Sequence, residues 1–185
     1  MNIQEYIEQV HQTATEHGWH EQKQSTEHWL MLIITEICEM IEADRENNHA
    51  RREMFEHRLE VQPNDPDDRF NEWFKPYIKD TFEDELADIC IRTFDLIGES
   101  GISIKQFDKI HTQFNPDFYK QELPKQCFDI IGVITDCDVL PIVCNNILEF
   151  AEHVAENHGV DLEWHIEQKM RYNQLREWKH GNKAY

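Results

Sequence analysis

DTFEDELADICIRTFDL, residues Asp80 to Leu96, carries two patterns at once. Phe82, Leu86, Ile89, Thr93, Leu96 and Ile97 recur at helical spacing and predict a helix with one apolar stripe. Asp80, with Glu83 three residues on, is the expected N-cap and capping box. Glu85 and Asp88 are also three apart, so they leave the same side of that helix, one turn from each other. They stand at the edge of the stripe, beside Ile89 and Leu96. Carboxylates there are costly to desolvate unless something neutralises them. A divalent cation would do so, and so would pairing of Asp88 with Arg92 at i+4.

A second helix repeats the arrangement. WLMLIITEICEMIEADRE, Trp29 to Glu46, places Glu36 and Glu39 three apart on the side that holds Trp29, Leu32, Met40 and Ala43. If the two helices pack together, Glu36, Glu39, Glu85 and Asp88 converge. Four carboxylates suit Mg²⁺ or Mn²⁺, hard cations that prefer oxygen ligands. A chain with 37 acidic residues also makes such pairs by chance, usually on solvated faces.

Outward from these helices the chain reads as mainly helical. Residues 2–17 form a first helix with Ile3, Ile7, Val10 and Ala14 on one stripe and His11 beside them. Residues 18–24 are a polar turn. Residues 47–79 are an insertion: NNHARREMFEHRLE is a candidate continuation as a polar helix, VQPNDPDDR is a loop, and FNEWFKPYIKD gathers Phe70, Trp73, Phe74 and Tyr77. That segment is either a lid or bundle cap, or a surface insertion stapled by its aromatics. ISIKQFDKIHTQF is a candidate short helix, and NPDFYKQELP reads as a turn. Further helices are expected at about 124–136 and 140–157, the second ended by Gly159 in the left-handed conformation. Asp161 caps a last helix carrying Leu162, Ile166 and Met170.

Composition bounds the class. The 185 residues suffice for one domain with a real core, and six Gly and six Pro are few. The expectation is one all-α bundle of about five to six helices over 1–185, with the insertion at 47–79. A formal charge of −19 argues against a nucleic-acid surface, and makes an anionic substrate awkward unless metal ions bridge it. Five cysteines without a CxxC pair point to a reducing, cytoplasmic setting, with Cys38 and Cys90 as small core residues. No basic-then-apolar leader and no apolar run of membrane length is present, so neither secretion nor a membrane span is expected. Residues 165–185 reverse the charge balance, with five Lys/Arg against two Glu. Lys169, Asn173 and Arg176 fall at i, i+4 and i+7, a face that suits phosphate oxygens; helix-dipole complementarity alone accounts for a basic end as well.

Glu36-x-x-Glu39 followed by Glu85-x-x-Asp88, each within an apolar helix, resembles the ExxE…ExxD signature of the MazG-like nucleoside triphosphate pyrophosphohydrolases, relatives of the dimeric all-α dUTPases. The run Lys169-Met-Arg-Tyr-Asn173-Gln-Leu-Arg176, then His180-Gly181-Asn-Lys183, also resembles the end of family members, as the opening helix to Gly18-Trp19 resembles their first. The likeness covers roughly residues 1–46, 80–100 and 160–185. Forty-five residues, 40–84, separate the two acidic pairs, more than the family's usual short connection. The resemblance implies a Mg²⁺-dependent enzyme, with Mn²⁺ as substitute, that hydrolyses nucleoside triphosphates to monophosphate and pyrophosphate, with nucleotide-pool housecleaning as the expected role. It implies metal binding and catalysis by Glu36, Glu39, Glu85 and Asp88, and phosphate contacts from Lys169, Asn173 and Arg176. It also implies a base pocket walled by His11 and Trp19, and a homodimer or homotetramer.

Two other classes compete. Glu8-x-x-His11 and Glu177-x-x-His180 match the Glu-x-x-His motif of ferritin-like di-iron bundles, although the second runs straight into Gly181. A non-catalytic helical interaction protein with a solvated acidic face is the third.

Overall fold

The computed structural model describes residues 3–61, 66–109, 114 and 117–179. Among these residues it is all-α: α1 (Ile3–Glu16), α2 (Thr26–Arg45), α3 (Arg52–Val61), α4 (Pro66–Tyr77), α5 (Phe82–Ser100), α6 (Leu123–Asp136), α7 (Leu140–His158) and α8 (Leu162–Gln174). Short 3-10 helices at Ile104–Lys109 and Phe118–Lys120 bridge α5 to α6. The six helices expected from periodicity are present. The two additional ones, α3 and α4, lie in the 47–79 insertion. No described helix is long and apolar enough to cross a membrane.

The hub is α5. Twelve of its 19 residues are buried, because α1, α2, α7 and α8 all pack on it. A helix surrounded in this way must be apolar on most of its circumference, as this one is. Ile33, Ile37 and Met40 of α2, Leu86, Ile89 and Phe94 of α5, and Ile147, Phe150 and Ala151 of α7 meet in the main core. At its far end α5 crosses α1 so closely that a Cβ on Gly98 would lie 2.6 Å from His11 Cβ. Glycine at 98 is what lets the two backbones approach.

The cap of α5 is offset by one residue from the expectation. Asp80 has φ 59°, a left-handed conformation incompatible with the extended N-cap. Thr81 (φ −96°, ψ 163°) is the N-cap, and its hydroxyl accepts from Asp84 N–H at 3.4 Å. Asp84 in turn accepts from Asp80 N–H at 3.0 Å. Glu83 is used elsewhere, accepting from Ala50 N–H at 2.8 Å, which ties the α2–α3 connection to α5. The ends of α7 and α8 follow expectation: Gly159 is left-handed at φ 68°, and Asp161 accepts from Trp164 N–H at 3.3 Å. Of the two cysteines expected inside, Cys90 is buried but Cys38, on α2, is exposed.

The insertion is neither loose nor polar inside. Phe55 of α3, Phe70 and Phe74 of α4, Ile78 and Tyr172 of α8 form a second apolar cluster. Phe74 stacks on Tyr172 with ring centroids 4.5 Å apart, and Phe55 meets Phe70 edge-on at 5.4 Å. Trp73 and Tyr77 cover this cluster from outside. The aromatics thus staple the helical hairpin to α8.

Candidate active site

A cleft of about 550 Å³ opens between α1, α2, α5 and α8, a size that accommodates a nucleotide-sized ligand. All four acidic residues of the paired motifs line it. The packing of α2 on α5 brings carboxylate oxygens of Glu36, Glu39 and Glu85 within 4.8 Å of one another. Glu36 and Glu85 are buried and Glu39 faces the cleft mouth. Asp88 stands beside this trio but is held differently: its carboxylate is 2.7 Å from Lys169 Nζ.

Lys169 is 3% exposed, and its ammonium also lies 2.6 Å from Asp84 Oδ2. The sequence-expected phosphate ligand is therefore already clasped by two carboxylates of α5, although it remains part of the cleft wall. Burial opposes its charge, but Asp84, Asp88 and Glu85 outweigh burial and hold the ammonium firmly protonated. Asp84 was not among the expected residues. It is fully buried, and its other oxygen, Oδ1, has no hydrogen-bond partner among the described residues. Arg92 does not pair with Asp88 along its own helix. Its Nε donates across to Glu36 Oε1.

The charges do not balance. Asp84, Glu85, Asp88, Glu36 and Glu39 are five acids, and Lys169 and Arg92 are two cations, an excess of three negative charges in a mostly buried space. Burial, then the charge of Asp88, pushes Glu85 up to about 10 despite Lys169. Burial likewise pushes Asp84 up to about 6, against the pull of Lys169. Burial and Asp88 raise Glu36, with Arg92 opposing. Protons therefore stand where cations would serve better. All the donors of the trio Glu36, Glu39 and Glu85 are carboxylate oxygens, and Glu36 and Glu85 are almost fully buried in the wall. That donor set fits a hard divalent ion.

Asn173 and Arg176 also line the cleft. Asn173 closes the last turn of α8, and Arg176 follows the C-cap Leu175, so the two reach the cleft from either side of the helix end. The buried Oδ1 of Asn173 lacks a partner among the described residues. Of the expected base-pocket residues, Trp19 lines the cleft, joined there by Trp29 and His17. His11 does not line it. Its Nδ1 lies 2.9 Å from Asp95 Oδ1, and it is Asp95 that faces the cleft.

His20, read from sequence only as part of a turn, also converges on Asp95, with Nε2 2.8 Å from Oδ1. Burial works against its charge, but the hydrogen bond to Asp95 and the charges of Asp95 and Glu99 hold it above its ordinary value. Of the Glu-x-x-His motifs of the di-iron reading, the second lies partly outside the described residues. Glu8 is exposed and bonded to Gln4, and His180 lies outside the described residues, as do Gly181 and Lys183. Comparison with protein-family models, with curated proteins and with solved structures finds no match for this chain.

Proposed function

We propose that this chain is a Mg²⁺-dependent nucleoside triphosphate pyrophosphohydrolase of the MazG-like kind, cleaving (d)NTP to (d)NMP and pyrophosphate. The observation that carries the reading is the meeting of Glu36, Glu39 and Glu85, with Asp88 beside them, in a cleft that Asn173 and Arg176 also line. In this reading Glu36, Glu39, Glu85 and Asp88 hold the metal. When bound, Mg²⁺ supplies charge neutralisation for the triphosphate and acidifies a water. Arg176 and Asn173 grip phosphate oxygens, Arg176 as a fork that suits them. Lys169 and Asp84 keep Asp88 in place from behind. A carboxylate of the cluster takes the proton of the attacking water as the α–β phosphoanhydride breaks and pyrophosphate leaves. Trp19 and Trp29 offer flat apolar surface to the base. A homodimer or homotetramer working in the cytoplasm belongs to the same proposal.

The test is a panel of canonical and modified nucleoside triphosphates with Mg²⁺, the products resolved by chromatography. Monophosphate and pyrophosphate should appear together. Diphosphate and orthophosphate would show that the chemistry is different, and no turnover of any nucleotide would favour a non-catalytic role.

A further inference from the structure

At the far end of α5 a second group of ligand-type side chains closes on itself. His11 Nδ1 from α1 and His20 Nε2 from the connection after α1 both reach Asp95 Oδ1, at 2.9 and 2.8 Å. The ligand atoms of the three residues all lie within 4.8 Å of one another. The other ring nitrogen of His20, Nδ1, is 3.2 Å from Glu99 Oε2. A carboxylate on the far nitrogen is the arrangement that orients a metal-bound imidazole and fixes its tautomer. The side chains of His20 and Asp95 are 9% and 13% exposed, so the group is largely sheltered yet reachable. Gly98, one turn from Asp95, is what allows His11 to come this near.

We propose that His11, His20 and Asp95 form a second metal site, distinct from the carboxylate cluster, that takes a divalent transition ion of the Zn²⁺ class. Two imidazoles and one carboxylate are the ligand set that such ions favour and that Mg²⁺ does not. Asp95 lies seven residues beyond Asp88 on α5, roughly 10 Å along the axis, too far for one ion to serve both groups. Three protein ligands leave at least one position for water. The ion clasps the segment that carries Trp19 to α5, and the His20 ring lies 5.1 Å from that of Trp29, so the clasp fixes the aromatic end of the cleft. His11 then serves the cleft at one remove, as a ligand and not as a wall. The site stands on its own geometry and does not depend on the hydrolase reading.

The experiment is a Co²⁺ and Zn²⁺ titration of the full chain in excess Mg²⁺. One equivalent of Co²⁺ should develop visible ligand-field absorption, displaced by Zn²⁺, and Zn²⁺ should raise Tm. Both effects should persist in Glu85→Gln and vanish in His20→Gln. Glu99→Gln should weaken the ion by roughly tenfold to a hundredfold. In the unaltered chain the side-chain ¹⁵N resonances of His11 and His20 should shift when Zn²⁺ is added, a readout that needs no variant to fold. Unmoved imidazole resonances overturn the proposal. So does binding that survives in His20→Gln and disappears in Glu85→Gln, which would place the ion among the carboxylates.

Discussion

Lys169 and Tyr172 are three residues apart on α8, each 3% exposed, and their main partners differ, although the Lys169 ammonium also lies 5.9 Å from the ring centroids of Phe74 and Tyr172. Tyr172 stacks on Phe74 among the aromatics of α3 and α4. Lys169 sits between Asp84 and Asp88 of α5. The aromatic side gains free energy from burial itself, about 1.5–3 kcal/mol for each large side chain taken out of water. The charged side gains nothing from burial. It is tolerable only while each ion keeps its partner, and even then its acids outnumber its cations. One helix thus joins a region that holds the fold together to a region prepared to receive a cation.

That contrast can be broken by substitution. Lys169→Met should be the most damaging change, costing roughly 3–5 kcal/mol by equilibrium unfolding, because it leaves Asp84 and Asp88 buried without their cation. The cost should shrink in acid, where Asp84 can take a proton. If Lys169→Met is near neutral at all pH values, the ion cluster is not holding charge as described. Phe55→Ala should follow at about 3 kcal/mol, since Phe55 is fully buried among Phe70, Phe74 and Trp164. Whatever remains folded should keep its affinity for divalent metal. A loss of metal affinity out of proportion to stability would mean that the two regions are not separable.

The pH response has a definite sign. Glu85 is raised from 4.5 to about 10 in the folded protein, so between those values the folded state binds a proton that the unfolded state has released. Stability of the metal-free protein therefore falls as pH rises through that window, and Asp84 adds the same trend between 3.8 and about 6. Thermal scans from about pH 6 to about pH 9 should show Tm declining, and Mg²⁺ should flatten the decline by taking the proton's place. A rising Tm over that range would contradict the assignment. Smallest in stability is Arg176→Ala, expected to change unfolding by less than about 1 kcal/mol while raising KM for a triphosphate. A variant that melts early but keeps KM would put Arg176 in the scaffold.

Much of this was legible in the sequence. Six helices announced themselves because their apolar residues recur every three or four positions and face one core. In the insertion α3 is readable only as a polar helix and α4 is hidden, because their aromatics serve a separate cluster against α8. The cap of α5 was placed one residue early, since Asp80-x-x-Glu83 and Thr81-x-x-Asp84 both satisfy the pattern and only backbone conformation separates them. Glu36, Glu39, Glu85 and Asp88 could be named from spacing alone. Asp84 could not, because its partner Lys169 is 85 residues away. A signal for it did exist: Asp84, Asp88, Arg92 and Asp95 recur at helical spacing on α5, as Lys169, Asn173 and Arg176 do at the end of α8. His20 was hidden in a turn with no periodicity to mark it.

The central claim is that Glu36, Glu39, Glu85 and Asp88 cannot all stay ionised until a divalent ion joins them. The most direct measurement is the Mg²⁺-induced change in Tm of the parent and of Glu85→Gln, which keeps the shape of the side chain and removes its charge. The parent should gain in Tm as Mg²⁺ approaches saturation. Without metal, Glu85→Gln should be at least as stable as the parent, and it should gain much less from Mg²⁺. A parent indifferent to millimolar Mg²⁺, or a Glu85→Gln variant that responds as the parent does, would contradict the account.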